Sequence, residues 1–203
     1  MKLIVITPEK NVKNEHAILH ELFLAGLKNL HIRKPDFTAE ELREYLKALD
    51  PRFLPYIAIH SHQEIVSPEL ELRRVHFPEA KRLRTAPVEF ELMREKGFFL
   101  STSVHHFGEL KKCAKYFHRI FLGPVFNSIS KKGYRGRTFP ILNLQREAEI
   151  IGIGGVKNSN VSNLHELGYD GAAFLGWIWE NPAEAVNRFK SVIAKWELQD
   201  HTS

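Results

Sequence analysis

Residues that donate hydrogen bonds to anions are concentrated in the segment 119–137. The segment begins with an apolar run, passes through Gly123 and Pro124, and continues with Ser128, Ser130 and Lys131. Hydroxyl and ammonium groups are good donors to phosphate oxygens. The composition therefore indicates a loop that closes over an anion, with a solvated surface loop as the alternative.

Glycine-containing turns follow two later apolar runs of the chain. Gly154 and Gly155 follow the run at 150–153, and Gly176 and Trp177 follow the run at 172–175. Because glycine has no Cβ, an anion can approach the main-chain N–H groups closely at such turns. The two turns together favour a phosphate site over glycines that merely end strands.

Arg33 stands at the end of an earlier apolar run, two residues after His31. Residues two apart in a strand point to the same face, so both side chains are expected to face inward at the carboxyl end of the strand. A buried arginine needs an anionic partner, either a protein carboxylate or a ligand phosphate. The position at the end of a strand favours the ligand.

Histidines occur at the ends of several predicted strands. They are His31, His60, His62, His76, His105 and His106. This distribution suggests a metal site, but His-x-His alone is a weak motif and no carboxylate accompanies it at a recognised spacing. Hydrogen-bonded polar residues at one end of the sheet are the favoured interpretation, and no metal ligand is predicted among them.

The elements that must position these residues alternate regularly along the chain. Short apolar segments predict buried parallel strands, and the amphipathic stretches between them predict helices. The predicted strands are residues 3–7, 30–33, 56–60, 74–77, 99–103, 120–125, 150–154 and 172–175. Eight strand–helix units of about 25 residues each predict a single-domain (β/α)8 TIM barrel. The domain would span residues 1–203, with 198–203 as a frayed tail.

An open doubly wound sheet is the alternative to the barrel. Such sheets usually have a glycine-rich turn after the first strand, whereas residues 7–11 contain no glycine. Local signals support the predicted helices. Thr38 and Glu41 have the spacing of a capping box, Gly168 is placed to end a helix, and Pro182 is placed to begin the last one.

The overall composition is that of an ordinary globular domain. Of 203 residues, 43% are hydrophobic and 26% are charged, and the formal net charge is +5. No apolar run reaches the roughly 18 residues of a membrane span, and the single cysteine, Cys113, cannot form an internal disulfide. We expect a cytoplasmic protein that binds small phosphorylated molecules and neither nucleic acid nor membrane. The sequence leaves open whether the protein forms a homo-oligomer.

The motifs described above resemble those of the thiamine phosphate synthase (thiamine-phosphate pyrophosphorylase) and TenI family, over almost the whole chain. The pieces that carry the resemblance are Ile32-Arg33, Ser103-Val104-His105, Gly123-Pro124-Val125-Phe126 with the following Ser128-x-Ser130-Lys131, and Ile153-Gly154-Gly155-Val156. The resemblance implies a (β/α)8 barrel that joins hydroxymethylpyrimidine diphosphate to a thiazole phosphate. Pyrophosphate is released, with Mg²⁺ as the expected cofactor.

The resemblance also implies roles for individual residues. The implied diphosphate contacts are Arg33, Ser128, Ser130 and Lys131. The implied thiazole-phosphate contacts are Gly155, Gly176 and the backbone of Trp177. The implied catalytic residues are Ser103 beside the pyrimidine and Lys131 beside the diphosphate. His105 is a further catalytic candidate, as an acid or base, because histidines suit proton transfer near neutral pH.

Several motif positions of the synthases carry other residues in this chain. A Gln-Leu-Arg-x-Lys motif on strand two is replaced by residues 31–35, His-Ile-Arg-Lys-Pro. Ser61 and Lys81 replace the two aspartates that the resemblance assigns to Mg²⁺, so the protein ligands of that ion are not recognisable. These replacements resemble the TenI branch, which includes thiazole tautomerases.

Two alternatives to synthase activity therefore stay open. The first is a tautomerase that acts on thiazole phosphate alone. Pro124 replaces the histidine expected just after Gly123 in that branch, and His105 or His31 is the candidate substitute for proton transfer. The second is a non-catalytic regulator that retains the phosphate pocket.

Overall fold

A closed barrel of parallel strands forms the centre of the molecule. The computed structural model describes residues 2–65, 70, 72–127, 136–142, 144 and 147–200. Ser128, Ser130 and Lys131 lie outside the described residues. The barrel closes in strict chain order, because each strand pairs with the next and the last pairs with the first. The predicted single-domain (β/α)8 TIM barrel is confirmed.

Every predicted strand is present, with ends that differ by a few residues at most. The strands are β1 Lys2–Ile6, β2 Leu30–Ile32, β3 Ile57–Ile59, β4 Arg74–Phe77, β5 Phe99–Val104, β6 Arg119–Leu122, β7 Glu149–Ile153 and β8 Gly171–Phe174. Their main-chain atoms are shielded on both faces, which explains why these segments read as continuous apolar runs.

The helices surround the barrel. They are α1 Glu15–Leu24, α2 Ala39–Lys47, α3 Glu79–Arg82, α4 Pro87–Glu95, α5 Leu110–Ala114, α6 Val161–Glu166, α7 Gly176–Trp179 and α8 Ala185–Asp200. The predicted capping box is present, because Thr38 accepts from the Glu41 N–H while Glu41 accepts from the Thr38 N–H. A 3₁₀ turn, Pro182–Glu184, precedes α8, and residues 198–200 of the expected frayed tail belong to this helix.

Two kinds of side chain fill the barrel interior. An apolar cluster occupies one side and consists of Ile4, Ile6, Phe121, Ile151 and Ala173. Buried polar side chains from the neighbouring strands β2, β4 and β5 occupy the other side; they are His31, His76 and Ser101. The polar half is unusual, since branched apolar residues dominate most barrel interiors.

Ionic contacts close the amino-terminal end of the barrel. The buried Arg119 guanidinium donates to Glu149 Oε2 at 2.8 Å and to Asn29 Oδ1 at 2.9 Å. Lys2 pairs with the other oxygen of Glu149 at 2.8 Å. Barrels of this class bind their ligands at the opposite, carboxyl-terminal end, where the site residues predicted from the sequence lie. None of the described helices combines the length and apolar character that crossing a bilayer requires.

Candidate functional site at the carboxyl end of the barrel

Arg33 lies at the rim where β2 ends. Its N–H donates to Thr7 Oγ1 at 2.8 Å, which ties the β2 turn to the end of β1. The guanidinium pairs with Glu9, and 36% of the side chain is exposed. The expectation of a buried Arg33 is therefore corrected, because the side chain reaches the rim and pairs with a protein carboxylate. An arginine in this position can still exchange Glu9 for a ligand phosphate.

Lys34 points away from the rim. Its ammonium is fully buried and lies 2.8 Å and 2.9 Å from the two carboxylate oxygens of Glu15. The Tyr45 hydroxyl donates a hydrogen bond to Glu15 Oε1 at 2.5 Å. The alternation of the strand explains the difference from Arg33, since successive residues face opposite sides. Lys34 therefore joins β2 to α1 and α2 and does not supply a second cation to the rim.

His105 continues the inward-facing series that begins with Ser101 and Ser103 on β5. Its Nδ1–H donates to the Gly123 carbonyl oxygen at 2.9 Å, and this bond orients the ring. Since a carbonyl can only accept, the neutral ring has its lone pair on Nε2. Nε2 lies 3.7 Å from Glu79 Oε2, and half of the side chain is exposed. The orientation and exposure of the ring suit a proton-transfer residue.

Ser103 lies below His105 and contacts His76 instead of open solvent. Its Oγ is 3.0 Å from His76 Nε2, and Ser101 Oγ is 3.0 Å from His76 Nδ1. Both serines come from β5 and the histidine from the adjacent β4. Ser103 is half-buried at the floor of the mouth, so it can meet a ligand only by keeping or exchanging this bond.

Three histidines from adjacent strands meet at this floor. His31 Nδ1 and His60 Nε2 are 3.0 Å apart, and the His60 and His76 rings stack with centroids 4.1 Å apart. The three residues can each offer a ring nitrogen within 4.8 Å of the others. The edge of Phe121 packs against two of the rings. We refer to His31, His60 and His76 as the histidine cluster.

The histidine cluster is uncharged at neutral pH. Burial is the largest cause, and it lowers the pKa of His31 and His60 well below the ordinary value for a histidine. Burial, with a smaller effect of the nearby Arg33 cation, lowers the pKa of His76 to about 3. Neutral imidazole nitrogens accept hydrogen bonds and bind metals, and protonated ones do neither.

The positions that the resemblance assigns to Mg²⁺ do not fit that ion. The Ser61 hydroxyl is buried and has no hydrogen-bond partner among the described residues. The Lys81 ammonium lies 5.8 Å from the centre of the Phe77 ring, and burial lowers its pKa. Mg²⁺ binds carboxylate and phosphate oxygens in octahedral geometry, whereas this pair offers one hydroxyl and one cation.

The glycine turn after β7 packs against the segment after β6. A Cβ on Gly155 would lie 2.5 Å from the Asn127 carbonyl oxygen, and Gly155 has a φ of +66°. Phe126 N–H donates to the Gly154 carbonyl at 3.0 Å. Glycine is required at position 155 because the main chain after β7 contacts the main chain after β6, independently of any ligand.

Hydrogen bonds join the residues on either side of 128–135, next to the glycine turn after β7. The Arg137 N–H donates to the Pro124 carbonyl at 2.8 Å, and the Gly136 N–H donates to Asn127 Oδ1 at 2.9 Å. The intervening residues include Ser128, Ser130 and Lys131, so their predicted anion contacts stay predictions.

Gly176 and Trp177 begin α7 just after β8. Gly176 is exposed at the mouth. The Trp177 ring packs instead against Phe174 and under the Arg188 guanidinium, with 5.9 Å between ring centroids and 5.6 Å to the cation. The predicted phosphate contact of the Trp177 backbone stays a prediction.

Sequence reasoning named these three histidines at strand ends but did not predict that they meet in one cluster. Each member could be assigned to a strand or its end, and alternation could place each side chain inward. The sequence contains no signal for the relative height of neighbouring strands, which the barrel stagger sets. Only that stagger brings the three rings to one level.

Comparison with known proteins supports the fold assignment. No family model matches the sequence, and no curated protein matches it. A thiamine phosphate pyrophosphorylase from Bacteroides thetaiotaomicron superimposes with a TM-score of 0.77 at 22% identity, over 98% of this chain and 98% of that chain. A thiamine phosphate pyrophosphorylase from Pyrococcus furiosus gives a TM-score of 0.77 at 17% identity, over 97% of this chain and 95% of that chain.

A further solved structure shares the architecture. A 3-hexulose-6-phosphate synthase gives a TM-score of 0.67 at 13% identity, over 96% of this chain and 99% of that chain. The resemblance stated from the motifs is thus confirmed in three dimensions: over nearly its whole length, this chain has the fold of the thiamine phosphate pyrophosphorylases.

Proposed function

We propose that this protein is an enzyme of the thiamine phosphate synthase type. The reaction would join hydroxymethylpyrimidine diphosphate to a thiazole phosphate and release pyrophosphate. The observation that carries the proposal is the fold shared with two thiamine phosphate pyrophosphorylases over nearly the whole chain. The motif residues at the mouth support it, because Arg33, Ser103 and Gly155 all lie at the carboxyl ends of strands, where barrels of this class bind ligands.

The chemistry requires stabilisation of a leaving group more than it requires a strong base. The C–O bond to the diphosphate breaks, its electron pair leaves with pyrophosphate, and the thiazole nitrogen then attacks the pyrimidine methylene carbon. Positive groups fixed near the departing oxygens lower the barrier to this step. Arg33 is such a group at the rim, and Lys81 adds a second cation where the resemblance places a metal ligand.

The test is an assay with both substrates, run with Mg²⁺ and after chelation. We expect thiamine phosphate and pyrophosphate in equal amounts, and a loss of about 100-fold in kcat in Arg33→Ala. Arg43→Ala is the matched control, because Arg43 lies on α2 and pairs with Glu40. Absence of product at enzyme concentrations equal to those of the substrates would exclude synthase activity.

A specific observation favours a second candidate, an isomerase that acts on thiazole phosphate alone. His105 has an oriented ring on a half-exposed side chain, with its Nε2 lone pair 3.7 Å from Glu79 Oε2, and such a ring can transfer protons. The base would take a proton from one ring position, and the proton would return at another, with no net change in composition.

Proton exchange from solvent D₂O into thiazole phosphate tests the isomerase. His105→Asn should slow exchange by about 100-fold or more, whereas the exposed neighbour in His106→Asn should leave it unchanged. His31→Asn tests the buried His31 as the alternative base. Exchange rates that are equal in the wild type, the His105 variant and the His31 variant would exclude both bases. Tight thiazole-phosphate binding without turnover in either assay would indicate a non-catalytic regulator.

A further inference from the structure

We propose that the histidine cluster is a binding site for a divalent transition metal such as Zn²⁺, with an open coordination position facing the barrel mouth. The site consists of one ring nitrogen each from His31, His60 and His76. It does not depend on the thiamine reaction, since metal binding can be measured without any substrate.

The spacing of the ring nitrogens is close to that of a three-histidine site. Tetrahedral Zn–N bonds of about 2.0–2.1 Å place the ligand nitrogens about 3.3 Å apart. His31 Nδ1 and His60 Nε2 are already 3.0 Å apart, and all three ligand atoms lie within 4.8 Å of one another. A metal that binds both nitrogens must displace the proton that His31 and His60 now share in their hydrogen bond.

Hydrogen bonds around His76 prepare one of its nitrogens for a metal. Ser101 Oγ lies 3.3 Å from the Val75 carbonyl, to which it must donate because a carbonyl only accepts. With its single hydrogen used, Ser101 accepts from the Nδ1–H of His76 at 3.0 Å. The lone pair of neutral His76 is therefore on Nε2, which lies 3.0 Å from Ser103 Oγ.

This arrangement reproduces the support that metal-binding histidines usually have. In known sites, the ring nitrogen that does not bind the metal donates to a fixed acceptor, which sets the tautomer and ring orientation. Ser101 has that role for His76. Ser103 has the opposite effect, because its hydroxyl occupies the Nε2 lone pair and must leave when a metal arrives.

The donor set selects the class of metal. Imidazole nitrogens suit Zn²⁺ and its first-row neighbours, and an all-histidine set is a poor match for Mg²⁺. With three protein ligands, a fourth tetrahedral position is left for water or an anion. His60 and Ser103 are half-buried, so the fourth position can be reached from the barrel mouth. A substrate oxygen is thus a chemically suitable fourth ligand.

The experiment titrates metal-free protein with Zn²⁺ by calorimetry and with Co²⁺ by visible absorption. We expect a single tight equivalent, with the intense absorption of tetrahedral cobalt. His60→Asn and His31→Asn should each weaken binding by more than about 100-fold, while His106→Asn binds like the wild type. Circular dichroism of each variant establishes that it is folded.

The two serines give a second, more discriminating comparison. Ser101→Ala should weaken Zn²⁺ binding by about 10- to 100-fold, as loss of such a supporting partner usually does. Ser103→Ala should strengthen binding, because it removes a competitor for the His76 lone pair. Zn²⁺ affinity that is the same in the wild type and in folded His31→Asn and His60→Asn variants would overturn the proposal. Such a result would mean that the three histidines form a hydrogen-bonded cluster that binds no metal.

Discussion

The buried ion pair between Lys34 and Glu15 should be among the most sensitive points of the fold. In Lys34→Met, a side chain of similar length replaces the ammonium that contacts both Glu15 oxygens. Removing one partner of a buried pair typically costs about 3–5 kcal/mol, because the other charge stays buried. Glu15 keeps donors from the Tyr45 hydroxyl and the Val12 N–H, so we expect the lower end of that range, about 3 kcal/mol.

Urea unfolding, followed by tryptophan fluorescence, measures this loss directly. For a chain of this size, about 3 kcal/mol corresponds to a fall of about 6–12 °C in Tm. Lys47→Met is the matched control, since Lys47 forms an exposed pair with Glu44 and should leave the unfolding midpoint unchanged. Pyrophosphate affinity should also be unchanged in Lys34→Met, because Lys34 does not reach the rim.

A double-mutant cycle tests the reasoning behind this magnitude. Glu15→Gln alone leaves the Lys34 ammonium buried without its counter-charge, and the double variant Lys34→Met/Glu15→Gln removes both charges. The double variant should be more stable than the sum of the single losses by about 2 kcal/mol. Additive losses, or a Lys34→Met variant within about 1 kcal/mol of the wild type, would refute a buried ion pair.

Three further predictions concern the rim and the pH dependence. Glu9→Gln removes the carboxylate partner of Arg33 and should tighten binding of inorganic pyrophosphate about tenfold, measured by calorimetry; unchanged affinity would mean that Arg33 does not meet the anion. Gly155→Ala places a Cβ against the neighbouring main chain at a positive φ and should cost more than about 1 kcal/mol, whereas Gly108→Ala meets nothing and should be neutral. Burial lowers the pKa of His118, so the unfolded chain takes up a proton that the folded chain does not. Stability should therefore fall as the pH drops through about 6.5, and His118→Asn should lose part of that slope in urea titrations between about pH 8 and about pH 5.

Local sequence signals predicted much of the architecture. The capping box at Thr38 and the continuous apolar strands depend on contacts within a few residues or on burial of both strand faces. The eightfold alternation of strand and helix then favoured a closed barrel over an open doubly wound sheet. Motifs with fixed spacing, such as Ser103-Val104-His105, also placed candidate residues at the correct end of their strands.

Partners distant in the chain were harder to predict. Arg33 was expected to be buried at the carboxyl end of its strand with a ligand as the favoured partner, but it is partly exposed and pairs with Glu9. Lys34 differs from Arg33 by one residue, yet α1 and α2 bury it against Glu15 on the other face. In both cases, the side chain's partner comes from a separate element, whose approach no local pattern specifies.

By itself, the sequence determined the order, type and approximate ends of the strands and helices, because hydrophobic period and capping are local properties. It also determined the resemblance to the thiamine phosphate synthases and the loss of the two expected magnesium aspartates. Only the tertiary structure decided which polar groups share the floor of the mouth. The stagger of neighbouring strands sets the relative height of side chains that are far apart in the chain. That stagger brings one ring nitrogen each of His31, His60 and His76 within 4.8 Å of one another.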